Sequence, residues 1–531
     1  MSKKSVHKNS HHLPKLQQLM LLCLPFCLFF SYHPVIPIFS TSTTNFEFSL
    51  PLLWLLLFAT LSLPGNYRLI KKSLITLIES RQLFKEQQKN THSSSKEFRS
   101  SLFRLLSFVY PLSVTVLSLF SANPLRAILT AGIIWCIHFS LLTFIENIAQ
   151  YKKEIGKSVQ KNLLIAAAFV SLFCWLQSIL DAIGVSRNLT LLCNGCVSNV
   201  FGFPHPNGFA IEPQFMANLL LAPVFLSLYY LLEIPKHQNL SLNLSPYKTS
   251  NSSRFLRLFL PFLLISTLYL TLSRGAIFAF WVGIFALFVY KTIQLAKSKS
   301  HFAKFFFRQS LTFLSIVLLP FLFALFSQGV LTELGSTNQT FMDGVSTSVS
   351  QISLGRINLA SSFHSPAENS ATKDSDQSSD QPIFTGYIEE STQIRLSLNK
   401  LAISSWRISI WRIFFGVGLG TTGLQLYQEF PELGSPKEII QNEYLAILYE
   451  QGLYGVASLI LTAFMLIKLY ILHNKKSISF YGFILMLSFA ITINFFSGLP
   501  NALHIYLLPA LIFFKTEADL QENSKYALRF R

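Results

Sequence analysis

Runs of about twenty apolar residues recur along most of this 531-residue chain, and they constrain its fold more than any other feature. A run of that length crosses the hydrocarbon core of a bilayer when it is helical. Helices also satisfy every backbone polar group inside lipid. A mean hydropathy of +0.44 and a charged fraction of 13% agree with this interpretation. The chain is therefore predicted to be an all-α polytopic membrane protein.

Hydropathy predicts about twelve membrane-spanning helices. They cover residues 17–38, 49–65, 102–121, 126–146, 163–184, 209–233, 255–273, 276–292, 309–330, 445–471, 479–497 and 501–515. The first run follows a basic start, but no small-residue cleavage site stands out after it. We therefore interpret it as a retained helix and not as a removed signal peptide.

The basic residues between these runs predict how the chain is oriented. Lys and Arg cluster in segments 66–101, 152–161, 291–308 and 475–476. All four segments lie on one side if the N-terminus is cytoplasmic, and cytoplasmic loops carry an excess of Lys and Arg. Both termini, including the tail 516–531, are then expected inside the cell. These topology signals account for much of the net charge of +18, so nucleic acid is not an expected partner.

This orientation divides the chain into four parts. Residues 1–330 hold nine spans, 331–444 form a large extracytoplasmic loop, 445–515 hold three spans, and a cytoplasmic tail follows. The first part of the loop is Ser-rich and acidic and is predicted to be disordered. Its second part, "STQIRLSLNKLAISSWRISIWRIFF", is amphipathic and is expected to lie along the outer interface. A second external loop carries Cys193 and Cys196, which suit a disulfide in an oxidising compartment.

Arg274 stands between two apolar runs, in "LTLSRGAIFAFWVG". At the outer end of a span, an arginine often extends to the lipid headgroups. The other interpretation is an anion site, since a guanidinium facing the bundle interior binds a phosphate with two parallel hydrogen bonds. Both interpretations are open at this point.

The stretch "GVGLGTTG", residues 416–423, matches the dinucleotide-binding pattern GxGxxG. No strand–helix–strand unit surrounds it, so dinucleotide binding is rejected. A tight glycine turn is the favoured interpretation. A pyrophosphate lying over the exposed backbone amides is the alternative.

Three residues near the outer ends of spans, Glu443, His205 and Glu212, are candidate bases, and Gln441 is a further candidate residue of the catalytic site. Glu443 follows Gln441 at the mouth of the tenth span, where a carboxylate can accept a proton from a sugar hydroxyl. The same acid would also stabilise a helix N-terminus without any chemistry. His205 and Glu212 lie in the stretch that opens the sixth span and are further candidate bases. A lone loop histidine is more often a solvated surface residue.

Three motifs occur in order: "TLSRGA" at 271–276, "GVGLG" at 416–420 after a loop arginine, and "QNEYLAILYEQGLYG" at 441–455. Together they resemble the O-antigen ligase and polymerase superfamily, over about residues 200–470. That superfamily has "SRGA", an arginine in a large periplasmic loop, "GvGlG" and "HNxyL…exGlxG". Twelve helices and one large external loop are also typical of it.

The resemblance implies a metal-independent, inverting C-type glycosyltransferase without a cofactor. Its donor would be a glycan on undecaprenyl pyrophosphate, in the outer leaflet of a bacterial plasma membrane. Its other partners would be a glycan or lipid acceptor and a regulator of chain length. Arg274 matches the helix arginine and Arg395 best matches the loop arginine, and both would bind the pyrophosphate. Arg407 and Arg412 are alternatives for the loop arginine.

The chain departs from the superfamily at Gln441, where ligases place a histidine that is proposed to activate the acceptor. An amide is not a base at neutral pH. The base is then Glu443, Glu212 or His205, or the reaction relies on positioning and on stabilising the leaving group. This departure favours a polymerase or a divergent relative over a ligase, and ligation to a lipid or a protein stays open. A transporter or a flippase for lipid-linked sugars ranks second, because ionisable residues gather at the ends of spans and no internal repeat is visible.

Overall fold

The computed structural model describes residues 15–31, 34–86, 92–148, 153–183, 205–232, 251–297, 302–335, 339–353, 383–431, 439–474, 480–495 and 502–512. Helices dominate these ranges. They are α1 (Lys15–Phe29), α2 (Leu50–Glu86), α3 (His92–Leu106), α4 (Val109–Ser118), α5 (Pro124–Ile148), α6 (Lys153–Ala182), α7 (Pro213–Leu232), α8 (Asn251–Leu270), α9 (Arg274–Lys297), α10 (Phe302–Gly335), α11 (Phe341–Ile352), α12 (Ile383–Trp406), α13 (Ile410–Phe415), α14 (Thr422–Glu429), α15 (Glu443–Asn474), α16 (Phe480–Thr492) and α17 (Leu503–Ile512).

The described helices identify an all-α membrane protein. Among the described residues, eight helices are long and apolar enough to cross a membrane, counting α3 with α4 as one. Each of the twelve predicted spans overlaps a helix of the structure. The other four predicted spans fall on α1, α8, α16 and α17, whose described apolar stretches are too short to be counted among the eight. Twelve crossings therefore stay a prediction.

Helix α7 forms the centre of the bundle, and α10 lies at its edge. Every residue of α7 from Phe215 to Tyr229 is buried, and they pack in one continuous apolar core with α5, α6, α9 and α16. Helix α10 instead exposes a row of large apolar side chains, which are Leu311, Leu314, Leu318, Leu319, Leu322, Phe323 and Phe326. Soluble monomers rarely expose an apolar surface of that extent, whereas lipid solvates it. The edge of the bundle is therefore suited to hydrocarbon.

A β-hairpin replaces the second half of the first predicted span. The prediction of a helix over 17–38 is wrong beyond Phe29, because β1 (Val35–Ser40) pairs antiparallel with β2 (Asn45–Ser49). The reason is Pro34 and Pro37, which lack backbone donors and push the preceding residues out of the helical region. The hairpin lies between α1 and α2 in the chain, and α2 begins directly after β2.

The segment predicted as one large loop, 331–444, contains several helices. Helix α10 continues to Gly335, and α11 folds back onto it, with Gly344 in close contact with Thr332. The amphipathic part holds α12, α13 and α14. Most of the acidic stretch, 354–382, lies outside the described residues, as do Cys193 and Cys196. The extracytoplasmic position of the segment stays a prediction.

Several helix ends that carry candidate residues lie at one end of the bundle. The backbone N–H of Glu443, at the start of α15, donates to the carbonyl of Ile493 just after α16. Two residues later, the Phe495 ring lies so close to Gly275 that a Cβ there would approach it to 2.8 Å. The starts of α9 and α15 are thus neighbours through residues 493–495. Which face of the membrane this end occupies stays a prediction.

Candidate functional site

An elongated cavity of about 570 Å³ lies between α4, α5, α15 and α17. The hairpin and the glycine-rich turn before α14 also contribute residues to its wall. Its volume is in the range of pockets that bind small ligands. Of the eight residues singled out in the sequence, Glu443 alone is among the described residues that line this cavity.

One face of α5 runs the length of the cavity. Its lining residues are Arg126, Leu129, Thr130, Ile133, Ile134, Ile137, His138 and Leu141. This i, i+3, i+4 spacing places them in a single stripe. At 1.5 Å per residue, the stripe from Arg126 to Leu141 is about 22 Å long.

The two ends of the cavity differ in polarity. Near the starts of α5 and α15 the walls carry Arg126, Glu443 and Glu450, together with threonine and tyrosine hydroxyls. Further along both helices the walls are mostly Ile, Leu and Ala side chains. A ligand with a polar head and a hydrocarbon chain matches this division.

Glu443 is held in position by neighbours on three elements. Asn442 precedes it and caps α15, because its side-chain oxygen accepts from the backbone N–H of Leu445 at 3.1 Å. The Glu443 backbone is fixed by the 2.9 Å bond to Ile493, and its side chain is only 7% exposed. The Tyr506 hydroxyl of α17 donates to the carboxylate. Glu443 is therefore a buried, oriented carboxylate on a cavity wall.

Gln441, two residues earlier, is half-buried and its side-chain oxygen makes no hydrogen bond with the described residues. It is not among the described residues of the cavity wall. Because an amide does not act as a base at neutral pH, Glu443 is the acid of this helix mouth that can accept a proton.

The glycine-rich turn is fastened to a second acid, Glu450. Its carboxylate accepts hydrogen bonds from the Gly420 N–H at 2.9 Å and from the Thr422 hydroxyl at 2.6 Å. Gly416, Gly418 and Gly420 all have positive φ, which glycine adopts without strain. The Gly420 amide is thus already used by a carboxylate of the protein itself. This supports the interpretation of the motif as a tight turn.

The same turn packs on a break in α15. Gly452 has φ 63° and ψ −167°, which interrupts the helix. The freed carbonyls of Tyr449 and Glu450 accept from the backbone N–H groups of Val417 and Gly418, at 2.9 and 3.0 Å. Backbone meets backbone so closely that a Cβ on Gly452 would lie 2.4 Å from the Phe414 carbonyl carbon. The break and the turn therefore form one rigid unit at the polar end of the cavity.

Arg126 is a cavity residue that sequence reasoning missed. It is half-buried near the start of α5, and its aliphatic stem packs on Gly420, where a Cβ would lie 2.9 Å from the arginine Cγ. Its position in the sequence is a signal for it, because Arg126, like Arg274, is an arginine at the predicted outer end of a span. Its meeting with Glu443 required knowledge of how the helices pack.

Arg274 begins α9 and is half-buried, at the same end of the bundle as Glu443. The turn before it contains Leu272 with φ 51°, an unusual conformation for a leucine. Arg274 is not among the described residues lining the cavity. Its role as a phosphate ligand stays a prediction.

His205 and Glu212 are not among the described residues of the cavity wall, and His205 lies close in space to the turn before Arg274. The His205 ring hydrogen-bonds to the backbone of Thr271, three residues before Arg274. Although part of the ring is exposed, desolvation lowers the pKa of His205 to about 4, and the Thr271 bond only partly opposes this. Glu212 is exposed and accepts from the Gln214 amide. Neither is among the described residues of the cavity.

The three arginines of the amphipathic segment have different surroundings. Arg395 is half-buried on α12, and Arg407 is exposed just after that helix. Arg412 forms an ion pair of 2.7 Å with Glu429 and donates to the Ser405 carbonyl and hydroxyl, so it joins α12, α13 and α14. Within the described cavity wall none of the three is present. A structural role accounts for Arg412, and phosphate binding by Arg395 stays a prediction.

The pKa of Glu429 reports the same arrangement. Burial opposes its ionisation, but hydrogen bonds from Ser405, Arg412 and Gln425, together with the Arg412 charge, lower the pKa below its ordinary value.

Among the described residues, no group of three or more His, Cys, Asp or Glu side chains is placed to hold a metal ion.

Comparisons with protein-family models, with curated proteins and with solved structures find no match for this chain. The likeness to the O-antigen ligase and polymerase superfamily therefore rests on the three sequence motifs.

Proposed function

We propose that this protein is a membrane glycosyltransferase that transfers or polymerises oligosaccharide from undecaprenyl pyrophosphate, at the outer face of a bacterial plasma membrane. The observation that carries the proposal is Glu443. It was selected from the sequence as a candidate base, and it lies buried on the wall of a cavity that is polar at one end and apolar along most of its length. A lipid-linked sugar has the same division of polarity.

The chemistry requires one base and stabilisation of one leaving group. A hydroxyl of the acceptor attacks the anomeric carbon of the donor, and the bond from that carbon to the pyrophosphate oxygen breaks. The electron pair leaves with the lipid pyrophosphate, and the hydroxyl proton passes to Glu443. The configuration at the anomeric carbon inverts. Tyr506 holds the Glu443 carboxylate ready for the hydroxyl, so no reorganisation is needed at the moment of transfer.

Replacing Glu443 tests this assignment. Glu443→Gln keeps the size and the hydrogen bond from Tyr506 but removes the base, and general-base catalysis contributes about 10²- to 10⁴-fold to a rate. We expect transfer from a lipid-linked oligosaccharide to fall by at least the lower figure. Glu212→Gln is the matched control, because Glu212 is exposed and away from the described cavity wall. Full activity in the first variant and loss in the second would move the base to Glu212 and reject the proposal.

The arginines assigned by resemblance are tested in the same assay. Arg274→Ala and Arg395→Ala are expected to shorten or abolish the ladder of surface glycan chains, with membrane expression checked for each. An unaltered ladder in both would remove these residues from the proposed pyrophosphate site.

A transporter or flippase for lipid-linked sugars is the second candidate function. The break in α15 at Gly452 favours it, because interrupted helices are common at the substrate sites of transporters. The two functions separate in vesicles that contain purified protein and a labelled lipid-linked sugar. Movement of the label across the bilayer without any new glycosidic bond would favour transport.

A further inference from the structure

The polar end of the cavity contains a cation that has no part in the proton transfer proposed above. Arg126 of α5 lines the cavity, and its stem packs on Gly420 of the glycine-rich turn. It is the start of the α5 stripe that continues to Leu141. Its position is therefore at the junction of the polar end and the apolar groove.

The two acids of the cavity are engaged by other donors. Glu450 accepts from Gly420 and Thr422, and Glu443 accepts from Tyr506. The described carboxylates all lie beyond 4 Å from the Arg126 guanidinium, unlike the acids paired with Arg104 and Arg412. The stem of Arg126 packs on Gly420, which limits where its head can point. The Arg126 guanidinium therefore lies at the cavity wall, while the carboxylates of Glu443 and Glu450 accept hydrogen bonds from other groups of the protein.

The cavity wall beyond Arg126, called the groove from here on, is mostly apolar. On α5 it is lined by Ile133, Ile134, Ile137 and Leu141, with His138 among them, and on α15 by Leu459 and Leu466, with Thr462 between them. Two facing helices give a narrow groove, and the α5 stripe is about 22 Å long.

We infer that Arg126 binds the phosphate of a single-chain anionic lipid whose hydrocarbon chain lies along the α5 face of the cavity. The charge of the guanidinium complements the phosphate, and the groove that begins beside it takes the chain. The inference rests on the proposed function only for the sugar that the lipid carries. Glu443, at the same polar end, then faces the group attached to the phosphate.

Binding of defined lipids to the full-length protein in detergent tests this inference. Undecaprenyl phosphate and undecaprenol share a hydrocarbon chain but differ in charge, and native mass spectrometry measures the affinity of each. We expect wild-type protein to prefer the phosphate. Arg126→Gln should weaken its binding by about ten- to one-hundredfold, the effect of one charge-assisted hydrogen bond, and should leave undecaprenol unchanged.

Three further arms make the test specific. Arg68→Gln removes an exposed arginine of α2, away from the described cavity wall, and should bind both lipids as the wild type does. Ile137→Trp fills the groove and should weaken both lipids alike. Inorganic pyrophosphate should compete poorly. Competition at the same concentration as the lipid would show a site for free phosphate and would overturn the assignment of the groove.

Unchanged affinity of Arg126→Gln for undecaprenyl phosphate would overturn the inference. If that variant is unstable in a thermal melt, Arg126→Lys keeps the charge without the planar fork and should show an intermediate loss. Failure of the proposed function is recognised separately. In that case Glu443→Gln would leave glycan transfer intact, while lipid binding would still depend on Arg126.

Discussion

The hydrogen bonds of Glu450 should decide whether the glycine-rich turn stays closed over the polar end of the cavity. Glu450→Ala removes the acceptor for the Gly420 N–H and for the Thr422 hydroxyl, while Thr422 is only 3% exposed. Each buried donor left without a partner costs about 1–3 kcal/mol, and the hydroxyl can rotate toward another acceptor. The turn should therefore lose about 2–4 kcal/mol of local stability.

Glu450→Gln should have a smaller effect. Its amide oxygen can accept from Gly420 and its amide N–H₂ can donate to the Thr422 oxygen, so both contacts survive without charge. The loss of charge assistance should cost about 1 kcal/mol. The two variants thus predict a graded series, in which the glutamine variant lies between wild type and alanine.

Hydrogen exchange of the Gly420 amide measures this local stability directly. Its exchange rate should rise by about thirty- to a thousandfold in Glu450→Ala and by about fivefold in Glu450→Gln, since 1.4 kcal/mol corresponds to a factor of ten. Thr422→Val removes one donor and Thr422→Ser keeps it, so the serine variant is the control. An exchange rate in Glu450→Ala within twofold of wild type would refute the role of Glu450 in holding the turn.

Three further predictions concern other parts of the structure. Glu146→Gln should lower the free energy of unfolding by about 3–5 kcal/mol in a detergent melt, because it leaves Arg104 charged and buried without its 2.7 Å partner. The double variant Arg104→Met with Glu146→Leu should recover most of this loss. No recovery in the double variant would contradict this explanation. Gly452→Ala should destabilise the break in α15 by more than about 1–3 kcal/mol, because the backbone there has a glycine conformation and a Cβ would meet Phe414. Gly65→Ala, in open space on α2, is the control and should be neutral. Equal melting temperatures of the two variants would count against this prediction. The Arg412–Glu429 pair should stabilise the packing of α12, α13 and α14 at pH values above the ordinary carboxyl pKa of about 4.5. This contribution should be lost as the pH falls through the lowered pKa of Glu429 in the folded state. Protection of the α14 amides from hydrogen exchange should therefore decrease between pH 6 and pH 3 in the wild type but not in Glu429→Gln.

The positions of the helices could be predicted from the sequence because hydropathy is a local property. Each predicted span overlaps a helix, including the one that begins with Arg274. The first predicted span is too long, because hydropathy depends on apolar composition and does not register that Pro34 and Pro37 disfavour a helix. The break at Gly452 was not predicted, because a single glycine in an apolar run also fits a continuous helix.

The candidate site was predicted only in part, for a different reason. Glu443 could be selected from its position at the mouth of a helix, and it does lie on the cavity wall. Arg126 is about 300 residues away in the chain, and its contact with Gly420 depends on the packing of α5 against the turn. Hydropathy assigns both residues to helix ends but gives no distance between helices. The described cavity wall therefore holds an arginine other than those the motifs pointed to.

A structure of the protein with a bound lipid-linked oligosaccharide in a lipid nanodisc would test the central claim most directly. The proposed function and the lipid site predict density for the hydrocarbon chain along α5 from Arg126 toward Leu141. The phosphates should lie within hydrogen-bonding distance of the Arg126 guanidinium, and the first sugar should lie beside Glu443. Density for the whole ligand elsewhere in the bundle, with the α5 groove empty, would contradict the account.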